Sequence, residues 1–142
     1  MNIQLLHPNA KIPTKSREES AGYDLYMPEA GAINGTSANK INLGIASEIP
    51  KGYVGLILPR SGVGAKHGVE LNNTCGVIDS DYRGEWIAAL RLKDPYSTYT
   101  WEQGDRPLQV LFVPVLHIQQ FNVVDSLDQT ERGSGGFGSS GI

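Results

Sequence analysis

The sequence lacks several features that would place it in a restricted class. Cys75 is the only cysteine among 142 residues. An intrachain disulfide is therefore impossible, and we expect a reducing intracellular compartment, either the cytoplasm or the nucleus. No apolar run approaches the roughly 18 residues that a membrane-spanning helix needs. The N-terminus also lacks the basic start and long apolar stretch of a secretory signal. No membrane association is expected.

An excess of positive charge is also missing. Twelve lysines and arginines against 15 aspartates and glutamates give a formal net charge of −3, so no nucleic-acid partner is expected. A polyanionic ligand would have to be held by a few local cations. The candidates are Arg60, Lys66, Arg83, Arg106 and Arg132.

The common site motifs are absent or incomplete. GSGGFG, at residues 133–138, matches the G-x-G-x-x-G pattern, but the four residues after it leave no room for the helix and acidic residue of a dinucleotide site. His7, His67 and His117 lack the spacing of metal ligands. The sequence contains neither a Walker-type phosphate loop nor a G-x-S-x-G elbow. These observations exclude the commonest nucleotide-binding, zinc and α/β-hydrolase sites.

Apolar and polar residues alternate along most of the chain, which predicts strands, and Gly, Pro, Asn and Asp separate them at short intervals. The predicted fold class is therefore all-β, a jelly-roll-like single domain. One helical turn is predicted at Ser61–Gly68, and it should be short because its interior glycines disfavour a longer helix. The predicted strands are residues 3–6, Tyr23–Met27, Lys40–Ala46, Tyr53–Leu58, Trp86–Leu92, Leu108–Val115 and His117–Val124.

The stretch NTCGVIDSDYRGEW, residues 73–86, predicts a β-hairpin with Asp79, Asp81 and Tyr82 near its tip. Both aspartates are compatible with a purely structural role in the turn. Asp79 differs from Asp81 because it directly follows the apolar pair that ends the strand. A carboxylate held there could accept a proton from a water, as a general base does.

Three further stretches place polar groups at the end of a predicted strand or within one. PRSG, residues 59–62, combines a guanidinium, a hydroxyl and an unhindered backbone N–H, which suit phosphate oxygens, although a loop with one exposed arginine also explains it. Asp24 either caps a strand or faces a site. Gln109 is either an outward polar residue or part of that site. The glycine-rich end, RGSGGFGSSGI, has the composition of a flexible coil.

Taken together, in this order and spacing, these stretches resemble the five motifs of the trimeric deoxyuridine triphosphate nucleotidohydrolases, the dUTPases. The matching segments are AGYDLY, PRSGVGAKHG, NTCGVIDSDYRGE, GDRPLQ and RGSGGFGSSG. The resemblance runs from about Ser20 to Gly141. It departs from the family at Pro107, where an aliphatic residue is usual, and at Gly64, where a small side chain is usual.

The resemblance implies a dUTPase-like β-clip barrel over residues 1–131 and a flexible arm at 132–142 that closes an active site shared within a homotrimer. The implied reaction is hydrolysis of dUTP to dUMP and pyrophosphate, which limits uracil in DNA and supplies dUMP for dTMP synthesis. Asp79 would activate the water that attacks the α-phosphorus in line, Gln109 would position that water or the α-phosphate, and Arg132 would neutralise charge. The implied cofactor is Mg²⁺, which the triphosphate binds and Asp24 contacts through water.

The implied substrate contacts divide between the phosphates and the nucleoside. The phosphate contacts are Arg60, Ser61, Gly62, Gly138, Ser139 and Ser140, and the uracil and sugar contacts are Asn73, Gly76, Val77, Ile78, Tyr82 and Phe137. Tyr82 could instead pack on the core. Three other functions remain open at this stage: a dCTP deaminase with the same fold, a regulatory protein that binds a partner through this scaffold, and an inactive capsid-like jelly roll.

Overall fold

Strands dominate the computed structural model, which describes residues 1–136. Eleven strands and one helix are found in that part of the chain. The strands are β1 (Asn2–Leu5), β2 (Tyr23–Leu25), β3 (Gly31–Asn34), β4 (Asn39–Asn42), β5 (Ile45–Glu48), β6 (Tyr53–Pro59), β7 (Val69–Leu71), β8 (Gly76–Ile78), β9 (Ile87–Leu92), β10 (Thr98–Trp101) and β11 (Leu108–Pro114). The helix is α1 (Ser61–His67).

The strands form four small antiparallel sheets. Their orders are β2-β11-β6-β8, β4-β9-β7, β1-β5 and β10-β3, so most neighbours in a sheet are distant in sequence. The sheets enclose one hydrophobic core, which confirms the predicted all-β, jelly-roll-like single domain. Its largest fully buried side chains include Leu25, Met27, Ile33, Leu43, Ile45, Ile57, Trp86, Leu90 and Leu108.

Most of the predicted strands are confirmed, with small changes at their ends. The segment Lys40–Ala46 is an exception, because it divides into β4 and β5. Gly44 lies between them with a φ of +69°, in the left-handed region that glycine adopts at little cost. A side chain there would also meet the Cβ of His7 at 2.9 Å. The alternation of Ile41, Leu43 and Ile45 is real, but it spans two strands.

The predicted hairpin at residues 73–86 is wrong. β8 pairs with β6, whereas β9 pairs with β4 and β7, so residues 79–86 cross from one sheet to another. The turn itself is present, since the Tyr82 amide donates to the Asp79 carbonyl oxygen over 3.2 Å. Turn residues predict that the chain reverses or bends, but they do not determine which sheet edge the next strand joins.

The predicted strand at His117–Val124 is also wrong within the described chain. Residues 115–134 are exposed, and Phe121 and Val123 keep 84% and 101% of their reference accessible surface. The alternating pattern in this segment has no strand beside it in residues 1–136. A strand needs a partner for its backbone N–H and C=O groups, and residues 1–136 of a single chain supply none here.

The helix α1 is as short as its glycines predict. It ends at His67, and the C-cap residue Gly68 has a φ of +65° and donates its N–H to the Gly64 carbonyl oxygen over 3.1 Å. In residues 1–136 no helix is both long and apolar enough to cross a membrane.

One sheet surface is apolar without being covered. β6 and β11 direct alternate side chains into the core, but the opposite side of the sheet is also apolar, which is unusual for an antiparallel sheet that faces water. We call this surface the outer apolar face. Its half-buried or exposed residues are Val54, Leu56, Leu58, Val77, Leu111 and Val113.

Candidate active site

Three strands bring the polar residues of motifs one, two and four together. On β11, Gln109 lies opposite Asp24 of β2 on one side and opposite Leu58 of β6 on the other. Side chains that are directly opposite in neighbouring strands point to the same face of the sheet. Asp24 and Gln109 therefore share a face, next to Arg60, which directly follows β6.

Asp24 is a buried carboxylate that contacts two arginines. Its side chain is 6% exposed. Oδ1 lies 3.1 Å from Arg60 Nε, and Oδ2 lies 3.1 Å from Arg106 Nη1. The Ser16 hydroxyl also donates to Oδ2 over 3.0 Å. We call Asp24, Arg60 and Arg106 the arginine cluster, and its formal charge is +1.

The start of α1 lies against the arginine cluster. The Arg60 amide donates to the Pro107 carbonyl oxygen over 2.9 Å, and Arg60 Nη1 donates to the Arg106 carbonyl oxygen over 3.0 Å. Pro107 therefore supplies an acceptor to the site and leaves β11 in register, since that strand begins at the next residue. An open cavity of about 290 Å³ lies beside this turn and is lined by Arg60, Ser61, Gly62, Val63, Lys66 and His67.

The Gln109 side chain makes a hydrogen bond to the backbone and lies against a glycine. Its Nε2 donates to the Pro59 carbonyl oxygen over 3.2 Å. A Cβ on Gly22 would overlap Gln109 Oε1 and lie 3.1 Å from its Cδ. Gly22 therefore leaves the space that the Gln109 side chain occupies. In the sequence, Gly22 is simply part of motif one, and no local pattern indicates that it lies next to Gln109.

The motif-three residues line a different part of the surface. Gly76 and Ile78 are buried in β8, while Val77 is 58% exposed and Asn73 is exposed in the preceding turn. Asp79 is exposed just beyond β8 and lines a cavity of about 740 Å³. We call it the Asp79 cavity.

Tyr82 follows Asp79 in the same turn and does not pack on the core. The side chain is 42% exposed, and its hydroxyl donates to the Glu85 carbonyl oxygen over 2.9 Å. A Cβ on Gly84 would lie 2.6 Å from the Tyr82 Cζ, so the ring rests on that glycine. Tyr82 is thus presented at the surface by its own turn.

Within one chain, the arginine cluster lies far from Asp79. Ile78 pairs with Gly55, so Asp79 is in register with Val54, whereas Arg60 follows the other end of β6. Six residues of strand at about 3.3 Å each separate the two positions by about 20 Å. We refer to the arginine cluster and the Asp79 cavity as the two half-sites of the candidate active site.

The glycine-rich end contributes no contact to either half-site where it is described. Arg132 is exposed, and its Nε donates over 2.9 Å to the Gly135 carbonyl oxygen within the same segment. Phe137, Gly138, Ser139 and Ser140 lie outside the described residues.

Cys75 does not have the properties of a catalytic thiol. Burial raises the pKa of the Cys75 thiol above its ordinary value. The thiol is therefore protonated at neutral pH, whereas the thiolate is the nucleophilic form.

The donor set around Asp24 fits a magnesium ion that is bound mainly by its substrate. Within residues 1–136 no three His, Cys, Asp or Glu side chains are grouped so that they could hold a metal ion. An ionised carboxylate has about four acceptor positions. Arg106 and Ser16 donate to two of them, and the Arg60 guanidinium lies 3.1 Å from the other oxygen and covers a third. The remaining position suits one water of a hydrated Mg²⁺, an ion that usually keeps several waters.

The comparison with protein families bears on the open alternatives. The family model for dUTPase matches residues 8–141 of this chain. The chain belongs to the dUTPase family. This match favours a dUTPase over a dCTP deaminase or an inactive jelly roll.

Individual dUTPases match over nearly the whole chain. The deoxyuridine 5'-triphosphate nucleotidohydrolase of Ehrlichia canis is 42% identical over 144 residues, which cover 99% of this chain and 93% of the relative. The enzyme of the same name from a Picosynechococcus species is 41% identical and is covered to 99% on both sides.

Solved dUTPase structures have the same fold. The dUTPase of Staphylococcus bacteriophage 80alpha with bound dUpNHpp is 29% identical, with a TM-score of 0.87 and coverage of 99% of this chain and 98% of that chain. A mutant dUTPase from phage phi11 of S. aureus, described with a structural Mg(II) ion, is 25% identical, with a TM-score of 0.79 and coverage of 88% and 96%.

Proposed function

We propose that this protein hydrolyses dUTP to dUMP and pyrophosphate. The observation that carries the proposal is the arginine cluster beside Ser61 and Gln109, placed by three strands of a dUTPase fold. Curated relatives at about 40% identity are named for this activity.

The phosphates are bound at the arginine-cluster half-site. Phosphoryl transfer depends mainly on orientation and on neutralising the charge of the phosphates. Arg60 supplies charge, and Ser61 supplies a hydroxyl. A Cβ on Gly62 would meet no atom within 4 Å, so a phosphate oxygen can approach its backbone N–H. Arg132 adds a second positive charge from the glycine-rich arm.

Water is activated at the other half-site. Asp79 is exposed at the end of β8, where its carboxylate can accept a proton from a water that attacks the α-phosphorus in line. Gln109 orients that water or the α-phosphate through its amide. Because about 20 Å separate Asp79 from Arg60 in one chain, a complete site takes these two residues from different copies.

A homotrimer with shared active sites accounts for the surfaces that one chain leaves uncovered. The outer apolar face needs a covering layer, since contiguous apolar patches on monomers are usually small. The segment at residues 116–127 is exposed, although it contains Leu116, Ile118, Phe121, Val123 and Leu127. In the trimer, we expect neighbouring copies to cover the outer apolar face and the segment at residues 116–127. We also expect the arm at 132–142 of one copy to close the site of another.

The nucleoside is bound by β8 and its turn. Asn73 and the backbone of Gly76, Val77 and Ile78 hydrogen-bond uracil, Tyr82 packs on the deoxyribose, and Phe137 stacks on the base. Cytosine places a donor where uracil has an acceptor, a mismatch that can be worth about 10⁴-fold. A Cβ on Gly76 would meet that of Ile57 at 3.0 Å, so the strand cannot retreat to admit the methyl group of thymine.

Mg²⁺ is the proposed cofactor. When bound to the triphosphate it neutralises phosphate charge and fixes the arrangement of the chain of phosphates. Asp24 would hold one water of the ion with the acceptor position that the cluster leaves open. It would thus orient the metal-bound substrate without acting as a direct ligand.

The test is pyrophosphate release with Mg²⁺ from dUTP, dTTP, dCTP and UTP, with ammonia release from dCTP measured in parallel. We expect rapid turnover of dUTP alone. Turnover of dUTP no faster than that of dTTP contradicts the proposal, and ammonia release identifies a deaminase. Light scattering should give a mass about three times the 15.4 kDa of one chain.

A further inference from the structure

Arg106 has no role in the mechanism above, although it contacts the most buried charged group of the site. Its Nη1 donates to Asp24 Oδ2 over 3.1 Å. Its guanidinium carbon lies 5.9 Å from the centroid of the Tyr26 ring, and the Tyr26 hydroxyl is 2.6 Å from Thr14 Oγ1. Thr14 in turn exchanges two backbone hydrogen bonds with Asp24. Arg106 therefore contacts Asp24 directly, and it also contacts Tyr26, whose partner Thr14 is paired with Asp24.

The two oxygens of Asp24 are divided between the two arginines. Oδ1 forms an ion pair with Arg60, whose Nε lies 3.1 Å away, and Oδ2 accepts a hydrogen bond from Arg106. With an arginine on each oxygen, the carboxylate plane cannot rotate toward either partner without losing the other. The position of the Arg60 guanidinium is thus fixed through Asp24 by a residue that lies 46 positions away in the sequence.

The remaining donors of Arg60 are left for a ligand. A guanidinium carries five N–H donors in a rigid plane. Nε lies 3.1 Å from Asp24 Oδ1, and one Nη1 hydrogen is donated to the Arg106 carbonyl oxygen. Because these contacts hold the planar group on two sides, its remaining donors point in defined directions, and Arg60 lines the open cavity beside α1.

The charge of the cluster also depends on Arg106. Asp24 with Arg60 alone would form a neutral pair, whose attraction for a polyanion is weak. The second arginine leaves a net charge of +1 on the cluster at the edge of the cavity. Burial of Asp24 strengthens these interactions, since charges are screened less away from water.

We infer that Arg106 is a positioning residue that, by sharing Asp24 with Arg60, fixes the Arg60 guanidinium for the triphosphate. The inference rests on the proposed hydrolysis of dUTP. It assigns no contact between Arg106 and the substrate, so Arg106 acts mainly through Arg60, and most of its effect should disappear when Arg60 is replaced.

The experiment is a double-mutant cycle in ligand binding. Calorimetry with Mg²⁺ measures the affinity for dUpNHpp and for dUMP in the native protein, Arg106→Gln, Arg60→Gln and the double variant. We expect Arg106→Gln to weaken dUpNHpp about 10- to 100-fold, the range for hydrogen bonds to charged groups. Binding of dUMP, which lacks the β- and γ-phosphates, should change less than about 3-fold. In the Arg60→Gln background, Arg106→Gln should cost less than about 3-fold, because coupled residues are not additive.

Two further variants control for charge and folding. Arg91→Gln removes an arginine of nearly equal exposure, 40% against 41%, that pairs with Glu70 and not with Asp24. It should leave both affinities unchanged. Arg106→Lys keeps the charge but not the planar fork, so dUpNHpp should weaken about 3- to 10-fold. If Arg106→Gln fails to fold by circular dichroism, the lysine variant and its combination with Arg60→Gln complete the cycle.

The possible outcomes separate the inference from the proposed function. Additive losses in the cycle mean that Arg106 contacts the phosphates itself, and equal losses for dUpNHpp and dUMP mean a general structural role. Native affinity of the Arg106→Gln protein for dUpNHpp means that Arg106 has no role in positioning Arg60. Each of these results overturns the inference. A native protein that does not hydrolyse dUTP overturns the proposed function instead, whatever the variants show.

Discussion

Replacing Gly22 with alanine places one methyl group in the space of the Gln109 side chain. The new Cβ would overlap Gln109 Oε1 and approach its Cδ to 3.1 Å and its Cβ to 3.4 Å. The atoms in conflict belong mostly to the far end of a flexible side chain. We therefore expect Gln109 to rotate away while β2 and β11 keep their register.

The cost follows from what the rotation breaks. Gln109 loses the hydrogen bond from Nε2 to the Pro59 carbonyl oxygen, worth about 1 kcal/mol. A less favourable rotamer adds about 0.5–1.5 kcal/mol. The free energy of unfolding should fall by about 1–3 kcal/mol, and the melting temperature by roughly 3–10 °C. Displacement of the catalytic amide by about 1 Å should lower kcat about 100-fold.

The assay is steady-state hydrolysis of dUTP together with thermal unfolding, and Gly64→Ala is the matched control. A Cβ on Gly64 would meet only the Val69 carbonyl oxygen at 3.5 Å and Pro59 Cβ at 3.6 Å, which are ordinary contacts. Since alanine favours a helix interior by about 1 kcal/mol over glycine, the control should be slightly more stable and equally active. A Gly22→Ala protein with native kcat would refute the argument that this glycine places Gln109.

Three further predictions concern separate parts of the chain. Asp79→Asn should abolish hydrolysis of dUTP while dUpNHpp still binds, because it removes a proton acceptor at an exposed position and little else; loss of binding would instead indicate a structural aspartate. Deleting residues 132–142 should leave a folded trimer with strongly reduced turnover in the same assay, and full turnover would show that the arm is dispensable. Burial raises the pKa of the Cys75 thiol, so its alkylation by iodoacetamide should be slower than that of free cysteine at pH 7 and should accelerate only at higher pH; equal rates at pH 7 would contradict this.

The sequence predicted the strands well where the pattern is local. β6, β9 and β11 each present alternate residues to the core, and the alternation appears directly in the order of residues. Pairing is a different matter, because it depends on residues far away in the chain. The turn after β8 was recognised correctly, but the sheet that β9 joins is set by β4 and β7 and not by that turn.

The residues of the site were easier to predict than their arrangement. Asp24, Arg60 and Gln109 were each ambiguous alone, and they were chosen because their motifs match the dUTPase family in order and spacing. Their closeness follows from the β2-β11-β6 register, which no local signal reveals. Arg106 was recognised only as an available cation, since a carboxylate 82 positions away gives it its role.

The division of the site between the two ends of β6 has a genetic consequence. In the proposed trimer, a chain defective in Asp79 and a chain defective in Arg60 are each inactive alone. When equal amounts of the two variant chains assemble at random, a site is intact only under one condition. Its Asp79 must come from the chain that is defective in Arg60, and its Arg60 must come from the chain that is defective in Asp79. One site in four meets this condition. Lesions in the two half-sites therefore complement each other, and two lesions within one half-site do not.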